Sequence, residues 1–241
     1  MNILVLIISS DNLPIYKSNK EVWRSYMNMF PNIDCYFMEY INESDTTNEN
    51  FPYIENNTIY FKGEESFPNI IHKTLNSLDY FINEEYSKKY DFVVRTNLSS
   101  VWDFKTLQKF IDELPTKNNI YSGPRGPYYN LETYQFWFYF VGGMGIVMSR
   151  DVCELLLKLE NRTMAENFKN MDDIDIGYVM YTCDIPILPL NYCDVNSMEH
   201  FHEREMLIKE GKYLFYRAKT NHDNRDNEYE HMSKIVSTLY T

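Results

Sequence analysis

Basic residues are in short supply: 23 Lys and Arg stand against 35 Asp and Glu in 241 residues, for a formal charge of −12. Affinity for a nucleic-acid backbone comes from clustered Lys and Arg that release counterions, so DNA and RNA are excluded as partners. No apolar run is long enough for a bilayer span. The first, Ile3 to Ile8, is short, has no basic flank and gives way at once to Ser9-Ser10-Asp11. We therefore expect neither a signal peptide nor a transmembrane segment, and a cytoplasmic protein in which Cys35, Cys153, Cys183 and Cys193 stay reduced. Those cysteines form no Cys-x-x-Cys pair. The Gly-x-Gly-x-x-Gly fingerprint is missing after the first strand, which argues against a dinucleotide-dependent dehydrogenase or a Rossmann-type methyltransferase. Internal repeats and low-complexity linkers are absent too.

What is present suits one α/β domain spanning residues 1–241. Hydrophobic residues make up 44% and charged residues 24%, enough for a core at a length where single cores still grow. Aromatics reach 16%, with 21 Tyr, whose hydroxyls permit contact with polyhydroxylated ligands. Asn2 to Ser9 reads as a central parallel strand ending in small polar residues, beyond whose edge ligands bind. Ser18 is expected to cap a helix through Phe30, Cys35 to Tyr40 to form a strand, 41–57 a surface loop, and Thr58 to Lys62 another strand. Pro68 opens a helix with Ile71, Leu75, Leu78 and Ile82 on one face, and Tyr90 to Thr96 returns as a strand. Asp103 caps a helix to Leu114, Asn119 to Ser122 is strand-like, and Pro124 to Tyr129 reads as a turn-rich loop. Tyr134 to Phe140 is an aromatic strand with Phe136, Phe138 and Phe140 facing a core. It leads through Gly142-Gly143-Met144-Gly145 to the apolar Ile146 to Met148 and a helix from Ser149. Helices are also expected from Met171 to Cys183 and from Glu228 to Tyr240, with a polar tail between them.

Chemistry gathers at two places. Asp172, Asp173 and Asp175 crowd together, and mutual repulsion raises the pKa of the most buried acid; the same three could equally be a solvated helix N-terminus. Arg95, one residue inside a strand end, needs a partner, either a donor phosphate or a salt bridge to Asp173 or Asp175. Trp137 and Tyr139 are placed to stack on a sugar ring. The glycines either relieve a tight bend or let backbone approach a ligand. His200 and His202 would share a side of an extended segment and could join Asp175 in a metal site.

Five segments in order resemble the β-1,3-galactosyltransferase and fringe family of GT-A-fold inverting glycosyltransferases. They are Lys17 to Trp23, Phe67 to Leu78, Asp91 to Ser100, Gly143 to Arg150 and Asp172 to Gly177. The resemblance implies a mixed sheet flanked by helices, with 1–123 binding the nucleotide-sugar and 124–241 supplying acceptor contacts and catalysis. The implied donor contacts are Ser9, Ser10, Lys17, Arg95, Thr96, Asn97 and Ser99. Trp137, Tyr139, Gly143 and Gly145 would meet the acceptor, and Asp173, with Asp172 beside it, would be the general base. In that family the strand end carries an acidic triplet that holds a divalent cation against the donor diphosphate. Here the matching positions are Asn97-Leu98-Ser99, so the transfer of a sugar from a UDP-type donor to a glycan or glycoprotein hydroxyl is expected to need no cofactor. The lost carboxylates leave two alternatives: a manganese or magnesium ion rebuilt from Asp175, His200 and His202, or a catalytically silent sugar- or nucleotide-binding protein on the same fold.

Overall fold

Residues Ile3–Ile8 form β1 at the middle of the main sheet, and their unbroken apolar character reflects burial on both faces. Ile3, Val5 and Ile7 point into one core and Leu4 and Leu6 into the other. The computed structural model describes residues 1–42, 50–82, 90–130, 132–168, 171–220, 225 and 227–240.

After β1 come α1 (Pro14–Tyr26), β2 (Ile33–Ile41), β3 (Tyr53–Glu55) and β4 (Thr58–Lys62). A 3-10 turn at Phe67–Asn69 precedes α2 (Ile70–Ile82), β5 (Phe92–Asn97), β6 (Ser100–Trp102) and α3 (Phe104–Glu113). The chain continues through β7 (Tyr121–Gly123), β8 (Arg125–Tyr129), β9 (Phe136–Val141) and β10 (Gly145–Ser149) to α4 (Arg150–Leu157), α5 (Leu159–Phe168) and α6 (Asp172–Thr182). It closes with β11 (Ile187–Pro189), β12 (Cys193–Asp194), α7 (Met198–Lys209), β13 (Phe215–Arg217) and α8 (Glu228–Tyr240).

Among the described residues the main sheet has eight strands in the order β11-β7-β10-β5-β1-β2-β4-β3. β1 pairs in parallel with β2 on one side and β5 on the other, so the strand order reverses at β1. A crevice opens there beyond the carboxyl ends. β10 runs antiparallel to β5 and makes the sheet mixed. A second sheet, β12-β13-β6, sits beside that crevice, and β8-β9 forms a separate ribbon.

Several expectations need correction. Ser18 lies inside α1; the helix starts at Pro14, whose fixed φ and missing N–H suit the first turn, after an extended Leu13. The interval 41–57 holds β3, which pairs with β4, while residues 43–49 lie outside the described residues. Residues 124–129 are not a loop, because Arg125 to Tyr129 pair with β9 as β8. The register slips between Tyr128 and Tyr129, placing them opposite Phe138 and Phe136 and leaving Trp137 as a bulge. The bulge breaks the alternation, so Phe138 is buried while Phe136 is 50% exposed. The tail before α8 is structured: α7 is capped by Ser197, whose side chain accepts the His200 N–H at 3.1 Å. All four cysteines are free thiols.

Candidate active site

The crevice deepens into a cavity of about 610 Å³, a size that suits a small-molecule ligand. Its floor is the carboxyl edge of the sheet: Ser9 and Ser10 after β1, and Asn97, Leu98 and Ser99 after β5. Gly143 and Met144 from the β9–β10 bend, and Asp172 and Asp173 from the start of α6, form one wall. Tyr16, Arg217, Lys219 and Arg225 also line it, together with Glu65, Phe67 and Lys73.

Arg95 organises that wall. Its guanidinium, 2% exposed, donates to the Gly143 carbonyl, to Asn97 Oδ1 at 3.0 Å and to Asp172 Oδ2 at 2.5 Å. The partner is thus Asp172, not the Asp173 or Asp175 expected from sequence. Asp172 is buried and its negative charge is met by this ion pair. Gly143 has no Cβ, which is what allows the approach: a methyl there would lie 2.5 Å from Arg95 Nη1 and 3.2 Å from Asp173 Oδ2. The carbonyl of Gly143 thus meets the cation while its N–H donates to Asp173 Oδ2 at 2.7 Å.

Asp173 also accepts the Ile174 N–H on Oδ1 at 3.0 Å, so its carboxylate is fixed in orientation. Burial, and then the neighbouring Asp172 charge, push its pKa above the ordinary aspartate value, against the lowering effects of Arg95 and the two backbone N–H groups. A fixed, cavity-lining carboxylate of raised basicity is suited to take a proton from a hydroxyl. The three acids occupy the first turn of α6, where the helix dipole favours negative charge.

The other expected residues divide. Ser9, Ser10, Arg95, Asn97, Ser99, Gly143, Asp172 and Asp173 are brought together around the cavity. Thr96 is fully buried, donating to the Met144 carbonyl at 2.8 Å and accepting from Trp102 Nε1 at 3.0 Å. Gly145 serves packing, since a Cβ would press on Phe215 and Trp102. Lys17 is on the exposed side of α1, outside the cavity lining. Trp137 and Tyr139 line a separate depression of about 320 Å³ with Phe136 and Tyr181, and the Arg125 guanidinium lies 3.5 Å from the Tyr139 ring centroid. His200 and His202 are on helix α7, where a separation of two residues turns side chains to different faces. His200 Nδ1 is 2.6 Å from Asn196 Oδ1. Asp175 is fully buried and outside the cavity lining.

A divalent cation does not fit the residues at the strand end. The Asn97 amide oxygen already accepts from Arg95, and Ser99 offers a neutral hydroxyl on a 4%-exposed residue. Asp172 is committed to Arg95, and both Asp173 oxygens accept backbone N–H groups. No three His, Cys, Asp or Glu side chains among the described residues are grouped to hold an ion, whereas a hard cation draws its affinity from anionic oxygens.

Sequence reasoning missed the cavity's cations from the C-terminal third. The signal was there: Arg217 and Lys219, two apart after the apolar Leu214-Phe215-Tyr216, share one side of an extended chain. Lys73 was also missed as a site residue; buried, it donates to Glu65 at 2.6 Å and to the Ser9 carbonyl at 2.9 Å, fixing the β1 edge. No helix among the described residues is long and apolar enough to cross a membrane.

No protein-family model and no curated protein sequence matches the chain. Solved structures do. A glycosyltransferase involved in the glycosylation of the major capsid of PBCV-1 superposes with a TM-score of 0.51 at 14% identity, over 96% of this chain and 98% of that one. The galactosyltransferase LgtC, solved with donor and acceptor sugar analogs, also gives 0.51, at 11% identity over 99% and 96% of the two chains. At such identities the likeness concerns architecture: the chain has the mixed α/β fold of the GT-A glycosyltransferases.

Proposed function

We propose that the chain is a glycosyltransferase that moves a sugar from a nucleotide-sugar of the UDP type to a glycan hydroxyl, with inversion at the anomeric carbon. The observation that carries this reading is Asp173: a carboxylate of raised pKa, oriented by two backbone N–H groups, on the wall of the cavity at the strand-order reversal. Asp173 takes the proton of the acceptor hydroxyl, and the acceptor oxygen forms its bond to the anomeric carbon. The bond from that carbon to the diphosphate oxygen breaks, and the nucleoside diphosphate leaves with the electron pair. Asp172 cannot share the role while Arg95 holds it, so it acts on Asp173 through its charge. The fold of the structural neighbours supports sugar transfer in general, and the five motif resemblances support the inverting form of it.

The test is sugar transfer from a panel of nucleotide-sugars to oligosaccharide acceptors, with product anomers assigned by proton NMR. Asp173→Asn should lower turnover by about 10²- to 10⁴-fold. The raised pKa gives the sign for stability. Folding favours the protonated acid, so this group's stabilising contribution is present at low pH and lost as pH rises through its folded pKa. Removing the charge relieves that cost at neutral pH, while the Asn NH2 forfeits one of the two backbone N–H bonds, so the opposing effects should leave the neutral-pH melting temperature little changed. Wild-type turnover in Asp173→Asn would move the base elsewhere, and retained anomeric configuration would reject the inverting step.

A further inference from the structure

The cavity is also lined by cations that the transfer step above does not use, Arg217, Lys219 and Arg225. β13 pairs antiparallel with β6, setting Arg217 opposite Ser100, and the Ala218 N–H donates to the Ser99 carbonyl at 2.9 Å. The stretch 217–219 is thereby bound to the turn at which the resembling family carries its metal-binding carboxylates. Arg217 Nε is buried without a hydrogen-bond partner, the Arg217 side chain meets the Tyr192 hydroxyl, and neither Arg217 nor Lys219 makes a salt bridge among the described residues. Arg225 stands behind them with its guanidinium 5.0 Å from the Tyr16 ring centroid, donating to the Tyr16 hydroxyl at 2.9 Å. Its charge is matched by Glu228, whose two carboxylate oxygens each accept from it at 2.7 Å. Burial first, and then the like charges of Arg217 and Arg225, pull the Lys219 pKa below its ordinary value, with Glu228 acting against them. An anion in the cavity, which Arg217, Lys219 and Arg225 all line, relieves that crowding.

We propose that Arg217 and Lys219, backed by Arg225, hold the diphosphate of the nucleotide donor in this cavity, and that no divalent cation takes part. The inference rests on the reading of the cavity as a nucleotide-sugar site. It resolves the misfit at Asn97 and Ser99: where the motif loses its anionic oxygens, the neighbouring strand supplies positive charge directly. The electron pair that leaves with the diphosphate is stabilised by fixed guanidinium and ammonium groups.

The test is calorimetric binding of inorganic pyrophosphate, of UDP, GDP, CDP and dTDP, and of the matching nucleosides, in EDTA and again with manganese. Pyrophosphate and at least one nucleoside diphosphate should bind in EDTA, weaken as salt rises and change less than about twofold with manganese. Arg217→Gln and Lys219→Gln should each weaken diphosphate binding about tenfold or more and leave nucleoside binding unchanged, while Lys219→Arg retains affinity. Melting temperatures without ligand separate this from misfolding. Diphosphate binding that requires manganese would overturn the metal-free site and leave the glycosyltransferase reading standing. Binding in EDTA that ignores both Gln variants would overturn the assignment to these residues. If no nucleoside diphosphate binds under either condition, the nucleotide-sugar reading falls, and the inference with it.

Discussion

Gly143→Ala should disable the site with a single methyl group. The added Cβ would lie 2.5 Å from Arg95 Nη1, 3.2 Å from Arg95 Cζ and 3.2 Å from Asp173 Oδ2. An unstrained contact needs roughly 1 Å more room at Nη1. Arg95 has nowhere to retreat without loss, because Nη1 also bonds Asn97, Nη2 bonds Asp172, and the group is buried. Giving up one charge-assisted hydrogen bond costs about 1.5–3 kcal/mol, and opening the buried ion pair completely costs about 3–5 kcal/mol. We expect a loss near the lower range, about 2 kcal/mol, with turnover reduced further because Asp173 is displaced as well. Gly143 does not have positive φ, so backbone strain contributes nothing. Gly142→Ala is the matched control: its Cβ would meet only Met144 Cε at 3.4 Å and the Pro124 carbonyl at 3.7 Å. Urea unfolding and initial rates on both variants decide the matter. A Gly143→Ala protein as stable and active as Gly142→Ala would refute the locked Arg95 arrangement.

Arg95→Ala should cost about 3–5 kcal/mol in urea unfolding, since Asp172 is left buried without its cation; a loss below about 1 kcal/mol would mean that water or another group satisfies Asp172. The acid limb of kcat/KM should lie above the pH expected of an ordinary aspartate, because transfer stops when Asp173 is protonated and burial and Asp172 raise its pKa. An acid limb at or below the ordinary value of 3.8 would exclude Asp173 as the base.

Where the periodicity was strong the elements were legible. β1 is a continuous apolar run, β5 opens on the apolar Phe92-Val93-Val94, α2 and α8 carry apolar stripes, and Asp103 caps α3 through the Lys105 and Thr106 N–H groups as its position suggests. β8 was hidden by Gly126 and Pro127, which read as turn residues although the segment is a ribbon strand. α7 was hidden because only Phe201 and Ile208, seven residues apart, are buried on it, too narrow a stripe to register. The acidic side of the site was legible from Asp172-Asp173 and the glycines. Its partners were not, since the pairing of Arg95 with Asp172 spans 77 positions and depends on how β5, the glycine bend and α6 meet. The Arg217-x-Lys219 spacing of the proposed cation wall is local, but its place at the cavity depends on β13 crossing to β6, a long-range contact.

Glu228 restricts the flexibility of the stretch that carries the cations. Fully buried, it accepts from Arg225, from Asn19 Nδ2 at 3.2 Å and from the Thr220 N–H at 3.2 Å, so α1, α8 and the end of the cation-bearing stretch meet on one carboxylate. That knot ties down the end of the stretch at Thr220 before any ligand arrives. The entropy lost in ordering the stretch belongs to folding and is not subtracted again from affinity. Loosening the knot would therefore leave every ligand contact chemically intact and still weaken binding, because the same side chains would then have to be brought to rest by the ligand itself.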